Sequence, residues 1–215
     1  MYSHLYSQLA PLYKIYNEIL KPLIAEIEVR FEKFPVSILN EIRAYNDHVA
    51  RCYDNIGNSD YIDEQISKAK GHIERSVLDC YKFLNVKLYD IVIKKFSKRT
   101  KYIDLVSIGN GEFYIEYKKH RQYIIENLKK AKLLEIKPEK EDAICLYEQV
   151  HNKYAELELL ITKNDTNIGW AVVKFSVKRV LAFLGWLMSA IISGFISSNV
   201  IPWNEMWKCV LYWFA

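Results

Sequence analysis

The sequence predicts an all-α protein in which a cytosolic helical bundle is followed by a C-terminal transmembrane helix. Apolar residues recur every three or four positions through most of the chain, which is the period of an α-helix and not of a β-strand. The 215 residues include only seven Gly and five Pro, too few for the frequent turns of a β-protein. Residues 180–203 contain no Asp, Glu, Lys, Arg or His. At ~1.5 Å of rise per residue, a helix of this length crosses the ~30 Å hydrocarbon layer of a bilayer.

The bundle is predicted to occupy residues 1–163 and to begin with a long helix that contains two prolines. Apolar side chains at intervals of three or four define the inner face of this helix: Leu5, Leu9, Leu12, Tyr16, Ile19, Leu23, Ile27 and Phe31. Proline suits the first turn of a helix and disrupts its interior. We therefore expect the helix to begin near Pro11, to kink near Pro22 and to end at Phe34-Pro35.

The second and third helices are predicted to be antiparallel neighbours joined by a short turn. Ser37 is the expected N-cap of the second helix, which ends at Gly57-Asn58. Ser59 or Asp60 is the expected N-cap of the third helix. The apolar face of the third helix consists of Ile62, Ile66, Ala69, Ile73, Val77, Cys80, Leu84, Leu88, Ile91 and Phe96. The basic residues at 94–101 suit the negative end of its dipole.

Two further helices and a linker are predicted before the transmembrane segment. The Gly-Asn-Gly sequence at residues 109–111 marks a turn, after which a fourth helix covers about residues 112–135. A proline-containing break separates it from a fifth helix over about residues 139–161. Residues 164–167, Asn-Asp-Thr-Asn, are expected to form a loop. Residues 164–179 as a whole are expected to be a linker and a basic juxtamembrane segment.

The charge alone decides no function, and the cysteine spacing gives no support to metal or redox chemistry. The formal net charge of +4 is too small to require a nucleic-acid partner. The four cysteines, Cys52, Cys80, Cys145 and Cys209, lie far apart within apolar patterns and form no C-x-x-C pair. We therefore expect buried free thiols in a reducing compartment, no metal site and no cofactor.

Tryptophan and basic residues flank the predicted transmembrane helix at residues 180–203. Tryptophan prefers the boundary between water and lipid, and the residues expected there are Trp170, Lys178, Arg179, Trp203, Trp207 and Trp213. Because basic residues precede the apolar run, the positive-inside tendency places the large N-terminal part in the cytosol and the helix in the inner membrane. Residues 204–215 are too short to cross as a helix. They are expected either to lie in the interface or to fold back as a re-entrant segment.

Small residues recur at every fourth position within the predicted transmembrane helix. One stripe consists of Gly185, Ser189, Ser193 and Ser197, and a second stripe of Ala190, Gly194 and Ser198 lies beside it. Small residues at this spacing let helices approach closely in lipid, where packing and hydroxyl hydrogen bonds drive association. The stripe therefore predicts a homo-oligomer. Two other interpretations stay open: a hydroxyl-lined pore, and a single anchor helix whose serines bond to their own backbone carbonyls.

Arg43 and His48 are the candidate catalytic residues of the bundle. An Arg followed five residues later by a His resembles the R-x4-6-H motif of HEPN (higher eukaryotes and prokaryotes nucleotide-binding) proteins, and the resemblance extends from Ile38 to about Leu88. It implies a HEPN-like core over about residues 1–97, in which the motif helix pairs with its copy in a dimer. Arg43 would stabilise a phosphate, and His48 would act as an acid, a base or an orienting group at the 2′-hydroxyl of RNA.

The same two residues also have a purely structural interpretation. Arg43 can form an ion pair with Asp47, one helical turn later, and His48 can contact His72 or Arg75 on the next helix. The position after the arginine is Ala44, where HEPN proteins usually carry a polar residue. The sequence leaves both interpretations open.

The combination of a helical bundle and one spanning helix resembles the membrane-associated accessory proteins of RNA-targeting CRISPR systems and other abortive-infection effectors. The resemblance implies a membrane effector of prokaryotic antiviral defence that oligomerises and forms a pore or perturbs the inner membrane. Its partners would be membrane lipid, further copies of the chain, and RNA or a protein of the defence system. Two alternatives remain: a membrane-tethered, metal-independent HEPN endoribonuclease that uses Arg43 and His48, and a membrane-anchored scaffold without catalytic activity.

Overall fold

The computed structural model describes residues 2–136 and 140–200 and, within them, the side chains of residues 5–136 and 140–194. All regular secondary structure in these residues is helical, which confirms the predicted all-α fold class. The helices between residues 2 and 163 form the bundle, and a long apolar helix, α8, Asp165–Val200, follows it.

The first helix begins at the start of the chain and not near Pro11. Helix α1 is Tyr2–Ile15, continues as a π-helical turn, Tyr16–Leu20, and passes into α2, Lys21–Phe31. Pro11 lies inside α1. An interior proline costs about 3 kcal/mol, whereas burial of three leucines in this helix, Leu5, Leu9 and Leu12, returns about 1.5 to 3 kcal/mol each. The helix therefore forms on both sides of the proline.

The irregularity that Pro22 predicts is found one turn earlier, as the π-helical turn. Hydrogen bonds from residue i to i+5 hold one more residue in the turn than an α-helix does, so the inner face of the helix rotates. As a result Leu20 is buried, with 1% of its surface exposed, whereas Ile19 is 39% exposed. The predicted assignment of Ile19 to the inner face is wrong for this reason.

Helices α3, Val36–Asp54, and α4, Ser59–Leu88, form the antiparallel pair that the sequence predicts. Their predicted caps are wrong. Pro35 and not Ser37 is the N-cap of α3. Asn58 is the N-cap of α4, and its side-chain oxygen accepts a hydrogen bond from the backbone N–H of Tyr61 at 3.1 Å. The four N-terminal N–H groups of a helix need such acceptors, which an asparagine supplies as well as a serine does.

Helix α4 continues through a second π-helical turn, Tyr89–Lys95, into the short helix α5, Phe96–Arg99. The predicted extension of this helix to Phe96 is confirmed. Here too the π-helical turn rotates the inner face. Val92 and Ile93 are buried, and the predicted core residue Ile91 is 38% exposed.

The remaining bundle helices match their predicted positions within about two residues. A 3-10 turn, Leu105–Gly111, precedes α6, Glu112–Leu134, and α7 is Glu141–Lys163. Within the turn, Gly109, Asn110 and Gly111 all have positive φ angles, which two glycines and an asparagine adopt at low cost. The proline-containing break between α6 and α7 falls at residues 137–139, outside the described residues.

Two hydrophobic clusters form the core of the bundle. The first unites α1 to α4 and includes Ala131 and Tyr147 from α6 and α7. The second lies between the π-helical turn after α4, the 3-10 turn, α6 and α7, and it includes Ile168 from α8. The second cluster is therefore the part of the bundle to which α8 is attached.

Helix α8 is Asp165–Val200, and it begins directly after Asn164. The predicted loop at residues 164–167 is wrong, and the predicted linker at 164–179 is the first part of the same helix. Ile168 is fully buried and Ala171 packs against the second cluster. This packing stabilises the polar segment as a helix. Asp165 in the first turn also suits the positive end of the helix dipole.

One helix in the described residues is long and apolar enough to cross a membrane, and it is α8, over Asp165–Gly194. None of its apolar window is buried against the bundle. The end of the predicted span and the tail at residues 204–215 lie outside the described residues, together with Trp203, Trp207, Trp213 and the side chain of Ser197.

The rotation of the inner face at the first π-helical turn can be tested with a pair of neighbouring substitutions. Leu20→Ala should lower the free energy of unfolding by about 2 to 5 kcal/mol, because it leaves a cavity in the first cluster. Ile19→Ala should lower it by no more than about 1 kcal/mol, because Ile19 is partly exposed. Unfolding of the full chain in detergent, followed by far-UV circular dichroism, measures both. A larger effect at Ile19 than at Leu20 would contradict the π-helical turn.

Candidate functional site

The structure does not bring Arg43 and His48 together within one chain. Both lie on α3, and five residues at about 100° per residue separate them by roughly 140° around the helix axis. His48 faces α4, where its Nδ1 lies 2.7 Å from Oε1 of Gln65. Arg43 is exposed and, within the described residues, forms no ion pair or hydrogen bond. The predicted ion pair between Arg43 and Asp47 is wrong, since Asp47 pairs with Arg51 at 2.7 Å.

His48 belongs to a polar cluster between the two helices that we call the α3–α4 seam: Glu41, His48, Gln65, His72 and Arg75. The imidazole rings of His48 and His72 stack with centroids 5.2 Å apart and an angle of 19° between the planes. This confirms the predicted contact between these two histidines. Oε2 of Glu41 lies 2.7 Å from Nδ1 of His72 and 3.5 Å from Nε of Arg75.

The seam follows from sequence spacing on two antiparallel helices. Glu41 and His48 are seven residues apart on α3, and Gln65 and His72 are seven apart on α4. Seven residues are almost two full turns, so each pair lies along one face of its helix. Antiparallel packing then places Glu41 opposite His72 and Gln65 opposite His48. The sequence contains this signal, but it becomes informative only when the two faces are known to meet.

The hydrogen bonds of the seam orient both imidazoles in the same way. In the tautomer with the hydrogen on Nδ1, each imidazole donates to a side-chain oxygen, that of Gln65 or of Glu41, and Nε2 is left to accept a proton. An imidazole oriented in this way has the geometry of a general acid or base. The guanidinium inside the seam is that of Arg75, and not that of Arg43. In a single chain the seam therefore supplies acid–base groups without the arginine that the HEPN resemblance implies.

A second cluster of charged residues joins α2 to α7, and no sequence pattern predicts it. Arg30 lies 2.5 and 2.6 Å from the two carboxylate oxygens of Glu158 and 3.0 Å from Glu26. Glu26 also lies 3.0 Å from Nε2 of His151. The hydrogen bond with His151, followed by the interaction with Arg30, lowers the pKa of Glu26. These contacts fix the orientation of α2 against α7.

The predicted burial of the cysteines is confirmed for two of them. Cys52 and Cys80 are fully buried, and burial raises the pKa of both thiols. Cys145 is exposed, so the prediction is wrong there, and Cys209 lies outside the described residues. In the part of the chain that the structure describes, no group of three His, Cys, Asp or Glu side chains is placed to hold a metal ion.

The predicted membrane residues that can be described all lie on the exposed surface of α8. Trp170 is 70% exposed, and Lys178 and Arg179 are exposed as well. Gly185, Ser189 and Ser193 are exposed one after another along the apolar part of the helix. No atom lies within 4 Å of the position that a Cβ would take at Gly185, so the stripe of small residues is uncovered there.

No family profile, curated protein or solved structure matches this chain. The class that its fold and site define is a helical bundle with the polar α3–α4 seam and one helix long and apolar enough to cross a membrane. The resemblance to HEPN proteins and to membrane-associated defence proteins stays a prediction.

The structural role of His48 can be separated from that of Arg43 by measuring stability. His48→Ala leaves the amide oxygen of Gln65, a residue with only 2% of its surface exposed, without its hydrogen-bond donor. This should cost about 1 to 3 kcal/mol in the free energy of unfolding. Arg43→Ala should change stability by less than about 0.5 kcal/mol, because the side chain is exposed and unpaired. Equal losses from both substitutions, in unfolding of the full chain in detergent, would contradict the arrangement of the seam.

The cluster around Glu26 predicts a dependence of stability on pH. Because the folded-state pKa of Glu26 lies below its ordinary value of 4.5, its carboxylate stabilises the protein above that pH, and this contribution is lost as the pH falls through the lowered folded-state pKa. Glu26→Gln should therefore cost about 1 to 2 kcal/mol at neutral pH.

The difference between wild type and Glu26→Gln should shrink when unfolding is measured at increasingly acidic pH below 4.5. Glu18→Gln is the matched control, because Glu18 contacts only Lys14, at 3.9 Å, on the exposed surface. A difference that stays constant on acidification would contradict the role of the Glu26 carboxylate.

Proposed function

We propose that the protein is a membrane effector in which α8 spans the inner membrane, the bundle lies in the cytosol, and copies of α8 associate to form a pore or to perturb the bilayer. The observation that carries the proposal is the exposure of apolar side chains all around α8. Each of the following is at least 40% exposed: Val180, Leu181, Phe183, Leu184, Trp186, Leu187, Met188, Ile191 and Ile192. A helix that is apolar on every side is stable only in lipid or inside other protein.

The orientation of the proposed span is supported by charge. Lys174, Lys178 and Arg179 are exposed on α8 immediately before its apolar part. Basic residues next to a spanning helix favour the cytosolic side of the membrane. This orientation leaves the bundle, which is connected directly to the same helix, in the cytosol.

The proposed association of α8 is supported by its small residues. Gly185, Ser189 and Ser193 follow at intervals of four, which keeps them on one side of the helix. Without a side chain at Gly185 and with only hydroxymethyl groups at the serines, the backbone of another copy can approach closely, and the hydroxyl groups can bond across the contact. The stripe extends to Ser197 in the sequence.

The biological role that we propose, in prokaryotic antiviral defence, is supported by the resemblance to membrane-associated CRISPR accessory proteins and abortive-infection effectors. A second candidate function is a membrane-tethered HEPN ribonuclease. Two observations favour this function. Two oriented imidazoles lie in the α3–α4 seam, and Arg43 is exposed, so it can contact a second copy of the chain. RNA or a protein of the defence system would then be the partner, and α8 would serve as an anchor.

Expression in bacteria distinguishes these functions when membrane potential and the integrity of total RNA are measured in the same cultures. Wild type is expected to depolarise the membrane and to leave RNA intact. Ser189→Leu/Ser193→Leu should abolish most of the depolarisation, because leucine side chains prevent close approach of the helices. Arg43→Ala/His48→Ala should leave the depolarisation unchanged.

A matched control adds bulk to the other side of α8. Leu184→Phe/Ile191→Phe should retain depolarisation, because both positions lie about 140° or more from Ser189 around the helix. Each variant must be present at equal level in the membrane fraction. Wild type that degrades RNA without depolarising the membrane, and loses this activity in Arg43→Ala/His48→Ala, would contradict the pore and support the ribonuclease. If wild type causes neither effect, the remaining function is that of a scaffold.

A further inference from the structure

Where α8 leaves the bundle, basic and apolar side chains of two elements lie around the helix, all exposed except the half-buried Phe175, and we call this group the juxtamembrane surface. It consists of Lys101, Tyr102 and Val106 from the bundle and of Trp170, Lys174, Phe175, Lys178 and Arg179 from α8. A helix that only spans the membrane does not require side chains of the bundle next to it. The position of the bundle residues near α8 therefore needs a separate explanation.

Two contacts hold the bundle residues along α8. Nη1 of Arg99 lies 2.9 Å from Oδ1 of Asp165, at the start of the helix. The ring of Tyr102 stacks on that of Phe175 with centroids 6.1 Å apart and an angle of 7° between the planes. Asp165 and Phe175 are ten residues apart, a rise of roughly 15 Å, so Arg99 and Tyr102 contact α8 at two levels, and the level of Tyr102 is nearer its apolar part.

In a bilayer whose hydrocarbon core begins at Val180, Tyr102 lies at the outer edge of the lipid headgroups. Phe175 precedes Val180, where the apolar run begins, by five residues, a rise of about 7.5 Å along the helix. The headgroup layer on each side of a ~30 Å hydrocarbon core is about 5 to 7 Å thick. Tyr102 is 62% exposed and presents apolar surface at that level, and Val106, in the 3-10 turn that contacts α8, is 55% exposed.

The charge at this level is positive and uncompensated. Lys101, Lys174, Lys178 and Arg179 form no ion pair within the described residues. The ammonium group of Lys101 lies 5.1 Å from the centre of the Tyr102 ring, and the guanidinium of Arg179 lies 5.8 Å from that of Phe175. Such contacts position a cation without neutralising it.

The carboxylates closest to these cations along the chain are already engaged. Asp165 pairs with Arg99, and Asp104 accepts a hydrogen bond from the backbone N–H of Val106 at 3.0 Å. An open groove of about 710 Å³ lies between the 3-10 turn and α8, and its lining includes Ser107, Lys174 and Lys178. It offers anionic groups a concave, basic site beside the membrane entry of α8.

We propose that the juxtamembrane surface binds the headgroups of anionic phospholipids in the bilayer that α8 enters, and that this binding holds the 3-10 turn of the bundle against the membrane. The inference rests on the spanning role of α8 stated under Proposed function. Lipid is the occupant that the surface fits, because exposed Tyr102, Val106 and Trp170 would gain nothing from a soluble phosphate. Phospholipid supplies both an anionic group for the lysines and an apolar phase for these side chains.

The proposal is tested on the full chain reconstituted into vesicles of phosphatidylcholine alone or of phosphatidylcholine with phosphatidylglycerol. Hydrogen exchange of the backbone amides at residues 101–106 reports whether the turn lies on the membrane. Exchange should be slower in the vesicles that contain phosphatidylglycerol. Salt at about 1 M shortens the Debye length to ~3 Å and should remove the difference.

Substitution of three lysines should have the same effect as salt. Each lysine near an anionic surface contributes about five-fold to binding, at ~1 kcal/mol. Lys101→Gln/Lys174→Gln/Lys178→Gln should therefore reduce the phosphatidylglycerol-dependent protection by about 100-fold, to the level seen in phosphatidylcholine. The control Lys129→Gln/Lys130→Gln/Lys132→Gln makes the same change of charge near the far end of α6, ~26 Å of helix from the 3-10 turn, and should keep the protection.

Resistance of the protein to extraction by alkaline carbonate shows separately whether α8 is inserted. Wild type that is inserted, but exchanges equally fast in both kinds of vesicle, would overturn the lipid site and leave the spanning helix intact. Wild type that is extracted from both would overturn the spanning helix and the lipid site together. Equal loss of protection in the two lysine variants would also overturn the proposal, because the attraction would then belong to the whole bundle.

Discussion

The apolar surface of α8 is the constraint on which the rest of the structure depends. A helix of this composition, with apolar side chains exposed on all sides, favours apolar surroundings over water, yet its first turns must stay packed against the bundle. The chain meets both demands with one continuous helix. Ile168 and Ala171 pack in the second hydrophobic cluster, and the apolar part begins at Val180, about two and a half turns after Ala171. Since no loop intervenes, the direction of α8 and the orientation of the bundle are set by the same packing.

The two π-helical turns also follow from how the helices pack in the hydrophobic clusters. The turn at Tyr89–Lys95 lies where α4 passes from the first cluster, which contains Leu84, to the second, which contains Leu88 and Val92. A straight α-helix keeps one inner face, whereas the two clusters require faces that differ by a rotation. One additional residue per π-helical turn supplies that rotation without ending the helix. The turn at Tyr16–Leu20 rotates the first helix so that residues before and after Pro22 both pack in the first cluster.

The sequence predicts the helices and the antiparallel pairing of α3 with α4, but it does not predict which side chains meet between helices. The positions of α3, α4, α6 and α7 follow from a 3.6-residue period, which is a local property. The errors at Ile19 and Ile91 arise because that period was assumed to continue through π-helical turns. The sequence does not locate the start of α8, because four small polar residues there are equally typical of a loop. Burial of Ile168 in the second cluster favours the helix. Antiparallel pairing of α3 and α4 alone does not identify Glu41 and Gln65 as partners of the histidines, because the register between the two helices is not a local property of the sequence.

The attachment of α8 restricts how copies of the protein can assemble. Helices in direct contact have axes about 8 to 10 Å apart, which is close to the width of a single helix and much less than that of a bundle. In the described residues, α8 contacts mainly α7 and the 3-10 turn, so it leaves the bundle beside the second cluster. If copies of α8 pack through the face of Gly185 and Ser189, the bundles cannot all lie on the axis of the assembly. The bundles must then extend outward from a central group of α8 helices. In that arrangement Arg43 on α3 contacts another copy only where neighbouring bundles touch. Association of α8 and pairing of α3 are therefore geometrically separate events, and one does not imply the other.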